Sequence, residues 1–393
     1  MKIKYRIVAC LFLIGFLTLS LCFTISSYGR GSNPESELMP TTNNGEKYRI
    51  GYYEGGPYVN YQLNLREIAN GLAELGWMQE IDIPEFDDPD DSSNLWKFLS
   101  ENIKSKYIEF VADAYWSADW KDDLRKVEKK DAIQRLSTKR DLDFIIAAGT
   151  WAGKDLANNE HSAPIMVVSC SDPIGSGIIE SAEDSGFDHV LAKCDPGRYV
   201  RQVRVFHDIF DFKKLGVVYE DTEDGRAYAN LDALERVTEE RGFELVECHA
   251  RETDLTADEC LKEVSSCLEK MAPEIDAFWI PDHQGFSIKY MPGVLGPLFE
   301  HDIPTWSTLG ANSVKYGVLM SIAAAGFHDV GLWYAENIAK IFNGAKPRDL
   351  NQVFEDPKVI AINLETANRI GYEPPESILD IADIVYDTIY HGD

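Results

Sequence analysis

The sequence predicts an α/β protein of two Rossmann-like lobes built on parallel sheets, and three observations carry that expectation. Short apolar, β-branched runs alternate with amphipathic helical stretches along most of the chain, the pattern of parallel strands covered on both faces by helices. There are too many such runs for one small sheet. The chain is 393 residues long, beyond the size at which a single core usually stops growing, so two lobes are the default arrangement.

The elements follow in order. Lys2, Lys4 and Arg6 precede an uninterrupted apolar run from Ile7 to Leu17 and a mixed stretch to Ser27, which reads as an export signal occupying residues 1–29, with Ser27-Tyr28-Gly29 at the cleavage position. A retained membrane tether is the competing reading; Leu19-Ser20-Leu21-Cys22 resembles a lipidation box except that Leu21 stands where a small residue is expected. No later apolar stretch is long enough to span a bilayer, so the body is expected in the periplasm or outside the cell. Residues 30–46 (RGSNPESELMPTTNNGE) read as a flexible leader.

The folded body begins with a strand at 48–53 (YRIGYY) and a helix at 62–76 that ends on a glycine cap. An acidic and then helical segment, 79–106, reads as an insertion. Strand-like runs follow at 107–113, 143–148, 164–169, 214–219, 243–250, 276–281, 303–307 and 317–323, with helical patterns at 224–241, 256–271 and 327–344. A short strand ending at Asp195-Pro196 marks the crossing between lobes. The expected division is 47–190 with 320–350 for lobe I, and 191–319 with 351–393 for lobe II.

The formal charge is −28 and becomes −31 once residues 1–29, with three basic and no acidic side chains, are removed. That disfavours nucleic acid and anionic lipid as partners. Outside the signal the cysteines are Cys170, Cys194, Cys248, Cys260 and Cys267, an odd set without zinc spacing. One or two disulfides with at least one leftover thiol are expected in an oxidising compartment.

In open α/β sheets ligands bind beyond the carboxyl ends of the strands, where helix N-termini gather. Those positions hold Tyr53 and Glu54 after the first strand, Thr150 and Trp151 after 143–148, Ser171 and Asp172 after 164–169, Tyr219 and Glu220 after 214–219, and Asp282 and His283 after 276–281. The first lobe offers hydroxyls and helix starts, the second carboxylates, and together they suit a zwitterion. Plainer readings stand beside each: Ser171-Asp172-Pro173 is what a helix start looks like, Thr150 is a cap, Trp151 is core, and Asp282 is a satisfied loop acid. Cys170 is read as a packed thiol, because His161, His189 and His283 form no cysteine-hydrolase context and no Gly-x-Ser-x-Gly elbow is present. No phosphate-cradling loop or metal-spaced set exists, so neither an enzyme nor a cofactor is expected.

From residue 48 to 373 the chain resembles the ABC-transporter substrate-binding family that includes tryptophan and other aromatic amino-acid binders. The resemblance rests on DLDFIIAAGTWAGKDLAN, APIMVVSCSDPIGSGII, KKLGVVYEDTEDGRAYANLDALERVTEERGFELVE, IDAFWIPDHQ and VIAINLETANRIGY. It implies the type I periplasmic-binding-protein fold with a hinged cleft, a small organic ligand, a membrane permease as partner and a monomer. It also implies that Ser171-Asp172-Pro173, Tyr53-Glu54, Gly149-Thr150-Trp151, Tyr219-Glu220 and Pro281-Asp282 border the cleft. Phe187 to Ala192 and Thr308 to Asn312 depart from the family pattern. An extracellular sensor partnered with a membrane signalling protein is the alternative.

Overall fold

The computed structural model describes residues 37–391 apart from residue 325; the export segment expected at 1–29, and the leader as far as residue 36, lie outside them. Two sheets organise the rest. The first has the order β2-β1-β3-β4-β5, formed by β1 (Tyr48–Glu54), β2 (Ile108–Ser117), β3 (Phe144–Ala148), β4 (Ile165–Val168) and β5 (Val190–Ala192). All its pairings are parallel, and Tyr52, Ile146, Met166 and Leu191 stand side by side in one row. Every residue of β3 and β4 is buried, which is why they read as unbroken apolar runs rather than as alternating ones.

The second sheet runs β12-β11-β10-β9-β8-β6-β7 and contains β6 (Lys214–Tyr219), β7 (Glu244–His249), β8 (Ala277–Ile280), β9 (Thr305–Ser307), β10 (Met320–Ala324), β11 (Lys358–Asn363) and β12 (Ile384–Tyr386). Only β10 and β11 are antiparallel. β10 pairs with β9 and β11, so residues 320–324 stand in the second sheet although the pattern groups 320–350 with the first lobe. An apolar strand carries no mark of which sheet receives it. The helix that follows, His328–Phe342, does return to the first lobe and packs along helix Val59–Glu74.

That helix pair shows how sequence sets packing. Leu65, Ile68, Ala69 and Leu72 recur at helical spacing and are fully buried. The backbones approach at Gly71 and Gly331: a Cβ at Gly331 would lie 2.3 Å from Cβ of Glu67, and one at Gly71 would lie 2.8 Å from Cβ of Ala335. No larger residue fits either position without pushing the helices apart.

The segment expected as an insertion contributes to the same core, with Leu95, Trp96 and Leu99 of helix Ser92–Asn102 buried and Trp96 Nε1 donating to the Val111 carbonyl at 3.1 Å. The stretch read as one helix over 224–241 is two, Glu223–Tyr228 and Leu231–Arg241, because Asn230 adopts φ +57° between them. Cys248 and Cys267 form a disulfide between β7 and helix Ala257–Met271, with Cα atoms 5.8 Å apart. Cys170, Cys194 and Cys260 are free thiols.

The strands connecting the lobes are braced against each other. Cys194 N donates to the Gln352 carbonyl at 2.9 Å and Phe354 N to the Cys194 carbonyl at 3.1 Å, while Lys193 and Asp356 form an ion pair at 2.5 Å. Among the described residues no helix is long and apolar enough to cross a membrane.

Candidate ligand-binding cleft

The carboxyl ends of β1, β2, β3 and β4 face those of β6, β7 and β8, and side chains of the two lobes meet across the gap. Tyr58, in the loop after β1, donates its hydroxyl to Asp282 Oδ2 at 3.1 Å and accepts from Asn60 Nδ2 at 2.9 Å. Asp282 lies just beyond β8 and is half-buried. Burial pushes its carboxyl up to about 7, with the nearby Glu252 charge adding to the rise.

An aromatic wall belongs to the first lobe. Tyr58 and Tyr61 meet edge to face at 5.1 Å, and Trp120 meets Trp151 in the same way at 5.6 Å. Trp120 lies against Gly55 and Gly56, where an added Cβ would fall 2.8 Å and 2.6 Å from its ring, and its indole N–H donates to the Pro57 carbonyl at 3.1 Å. Trp120 itself adopts φ +55°, next to Asp119 at φ +50°. Left-handed backbone at two adjacent non-glycine residues is uncommon and marks a position fixed by its surroundings. Trp120 O also accepts from Asp254 N of the second lobe at 3.1 Å.

Carboxylates supply the opposite wall. An opening of about 210 Å³ runs between Trp120, Trp151 and Tyr228 and the acids Glu220, Asp224 and Glu252. Glu252 accepts from Gln284 N at 2.9 Å, and burial, reinforced by the charge of Glu220, pushes its carboxyl up to about 8. The hydroxyl of Tyr228 and the amide nitrogen of Gln284 are buried and without hydrogen-bond partners.

Of the positions chosen from the sequence, the structure brings Trp151, Glu220 and Asp282 to the cleft walls and occupies the others elsewhere. Tyr53 points into the first core, where its hydroxyl donates to Asp155 at 2.8 Å. Tyr219 points to the opposite face of its strand and bonds Glu247. Strand alternation explains both: at a strand end consecutive side chains take opposite faces. Glu54 is wholly buried behind the cleft and accepts from Tyr115 at 2.8 Å, with its second oxygen unpartnered.

Glu220 is committed to the neighbouring loop, accepting from the backbone of Glu252 and Thr253 at 3.1 Å each and from the Thr253 hydroxyl at 2.7 Å. Thr150 is buried and its hydroxyl meets the Cys170 thiol at 3.3 Å. Asp172 caps its own turn through Ile174 N and Gly175 N, and Ser171 beside it is half-buried. His283 is buried and held neutral, its pKa lowered by burial to about 4; its Nδ1 accepts from Gly285 N at 3.0 Å, which leaves Nε2–H to donate to the Ala250 carbonyl at 3.3 Å.

Tyr58, Tyr61, Trp120, Tyr228 and Glu252 were missed by reading only the first residues after selected strands. Glu252 stands two residues past the strand read at 243–250, within reach of the same strand-end rule, whereas Trp120 stands three residues past β2 as folded but seven past the strand read at 107–113, which stops short of Ser117. Tyr58 and Tyr61 lie further along the β1 loop and are signalled only by aromatic density. Cys170 is half-buried and burial pushes its thiol up to about 12, the reverse of an activated nucleophile. Among the described residues no group of three or more His, Cys, Asp or Glu side chains is placed to hold a metal.

Known proteins share this arrangement. Residues 111–386 match the model of the family described as ABC transporter substrate binding protein. A structure described as an ABC domain in complex with L-Trp, from Streptococcus pneumonia, is 20% identical and superposes with a TM-score of 0.65 over 86% of this chain and 100% of its own. A conserved domain protein from Vibrio cholerae superposes with a TM-score of 0.64 at 17% identity, with 86% and 100% coverage. A tyrosine-binding protein of Clostridioides difficile is 23% identical over 243 residues, 62% of this chain, and the chain spans 66% of that relative's length. The shared architecture is the type I periplasmic-binding-protein fold of two α/β lobes.

Proposed function

Because the chain belongs to the ABC transporter substrate binding protein family, whose members bind a solute rather than transform it, we propose that it holds an amino-acid-like ligand with an aromatic side chain between its lobes and delivers it to a membrane permease. Asp282 carries this reading. It is a half-buried acid at the mouth of β8 that accepts from the neutral hydroxyl of Tyr58, and among the described residues no basic group stands within ion-pair distance of it. A ligand ammonium is the counter-charge such a carboxylate lacks.

The aromatic wall supports the rest. Tyr58, Tyr61, Trp120 and Trp151 present ring faces and edges that suit a planar apolar side chain, and the names of two relatives, a tyrosine binder and an L-Trp complex, agree with that chemistry. The working site is outside the cytoplasm, and the protein acts as a monomer.

Calorimetric titration with L-tyrosine, L-tryptophan, L-alanine and the amine-free analogue of tyrosine tests the reading. Saturable binding of the aromatic amino acids alone is expected. Binding of the amine-free compound with equal affinity would overturn the ammonium assignment.

A further inference from the structure

A second cavity, of about 200 Å³, lies where the chain crosses between the lobes, and its walls include Asp195, Arg198, Arg201, Asp356 and Lys358. Its two acids are already neutralised. Asp195 accepts from Arg201 at 2.7 Å, and Asp356 pairs at 2.5 Å with Lys193, which is not on the wall. The two cations that remain have no carboxylate within ion-pair distance among the described residues: Arg198 rests over the Tyr199 ring at 5.3 Å, and Lys358 is exposed at the start of β11.

In a chain of formal charge −28, this cavity is therefore a place where the uncompensated charge is positive. Arg198 is the first residue of helix Arg198–Phe210, so the dipole of a full-length helix adds to the same potential. A guanidinium fork and an ammonium lining one cavity suit the oxygens of a small oxyanion.

We propose that this cavity is an anion site that takes a small multivalent oxyanion, a phosphate or a dicarboxylate, held by Arg198 and Lys358. Its wall residues are distinct from those of the opening of about 210 Å³, although the Arg198 charge reaches Asp282 at the cleft and acts to lower the pKa of that carboxyl against the larger, opposite effect of burial. Asp195 and Asp356 lie on two of the segments that connect the lobes, so an anion bound between Arg198 and Lys358 ties those segments to the second sheet. Such a tie favours one hinge angle over another and couples anion occupancy to affinity in the cleft.

The test is calorimetric titration of the full chain at low ionic strength with inorganic phosphate in one arm and malonate in the other. Saturable binding of at least one is expected, weakened about tenfold in Arg198→Ala and in Lys358→Ala, as for loss of one charge-assisted hydrogen bond, and not weakened in Asp282→Ala, which removes a negative charge near Arg198. The arm that binds identifies the anion class. Absence of saturable binding in both arms, or equal binding by wild type and by the exposed-residue variant Lys358→Ala, overturns the proposal. Because Asp282→Ala removes only the cleft acid, failure of the cleft reading and failure of the anion site are separately visible.

Discussion

Lys154 Nζ lies 2.9 Å from Asp224 Oδ1 and joins the first lobe to the second at the rim of the cleft. The same ammonium reaches Glu223 at 3.3 Å, and Arg125 reaches Asp224 at 3.7 Å. Both members of the main pair are half-buried, so the attraction is stronger than at an open surface yet still screened by salt.

The first prediction concerns closure. Lys154→Ala removes the rim contact and should weaken ligand binding by about 0.5–1 kcal/mol, a two- to fivefold change, while shifting small-angle scattering toward the open shape. Raising salt should weaken the wild type toward the variant and leave the variant nearly flat. Parallel salt dependence in the two proteins would show that the rim does not latch.

Asp282 gives a pH dependence with a definite sign. Burial and the Glu252 charge push its carboxyl up to about 7, so it is largely protonated at pH 5.5 and ionised at pH 8. An ammonium ligand requires the ionised form; affinity should rise from pH 5.5 to about 7.5 and then level, with proton release on binding at pH 6.5. Asp282→Ala should cost about 2–5 kcal/mol, the range for truncating one member of a desolvated charged pair, and abolish the pH dependence. Titration in buffers of differing ionisation enthalpy measures the released proton.

Glu54 acts on stability rather than binding. It is fully buried with one unpartnered oxygen, and burial pushes it up to about 7. Its folded value lies above its unfolded one, so its contribution is intact below about pH 4.5 and is lost as pH rises through 7. Glu54→Gln keeps the shape and the Tyr115 contact and should stabilise the protein at pH 8 by an amount on the order of 1–3 kcal/mol, with no gain at pH 4.5. Thermal melts at the two pH values distinguish this from a general packing effect, which would move both.

The disulfide makes the last prediction. Cys248 and Cys267 close a loop of 19 residues between β7 and its following helix, and the double Cys→Ala variant should lose about 3 kcal/mol in urea unfolding. Cys170→Ser, by contrast, should leave ligand affinity within a few-fold, because no covalent step uses that thiol. A loss of binding in folded Cys170→Ser protein would point to a direct contact instead.

How far the sequence carried is clear from particular residues. β3 and β4 were legible because an unbroken apolar run too short for a buried helix suits a strand covered on both faces, and the placement of Asp282 at the cleft because strand ends in this architecture face the gap between the lobes. Tyr53 and Tyr219 were not separable from their neighbours: the end of a strand is readable to within one residue, and one residue changes the face. Glu220 fits the strand-end rule and still spends its oxygens on Thr253 and its neighbour, a local satisfaction that only geometry reveals. β11 and β12 went unread as strands because β12 is three residues long and both run opposite to the strands of the alternating strand–helix series.

The contact between Gly71 and Gly331 bears on how the chain reaches its native state. The first sheet is complete by Ala192, but the core it shares with helix Val59–Glu74 is completed by Tyr334, Ala335 and Ile338 only when helix His328–Phe342 arrives, after the whole of β6 to β10 has intervened. Such long-range closure is slow. A nascent chain emerging in order therefore carries an unfinished first lobe through most of its synthesis, and a truncation before residue 328 should yield an aggregation-prone fragment rather than an independent domain.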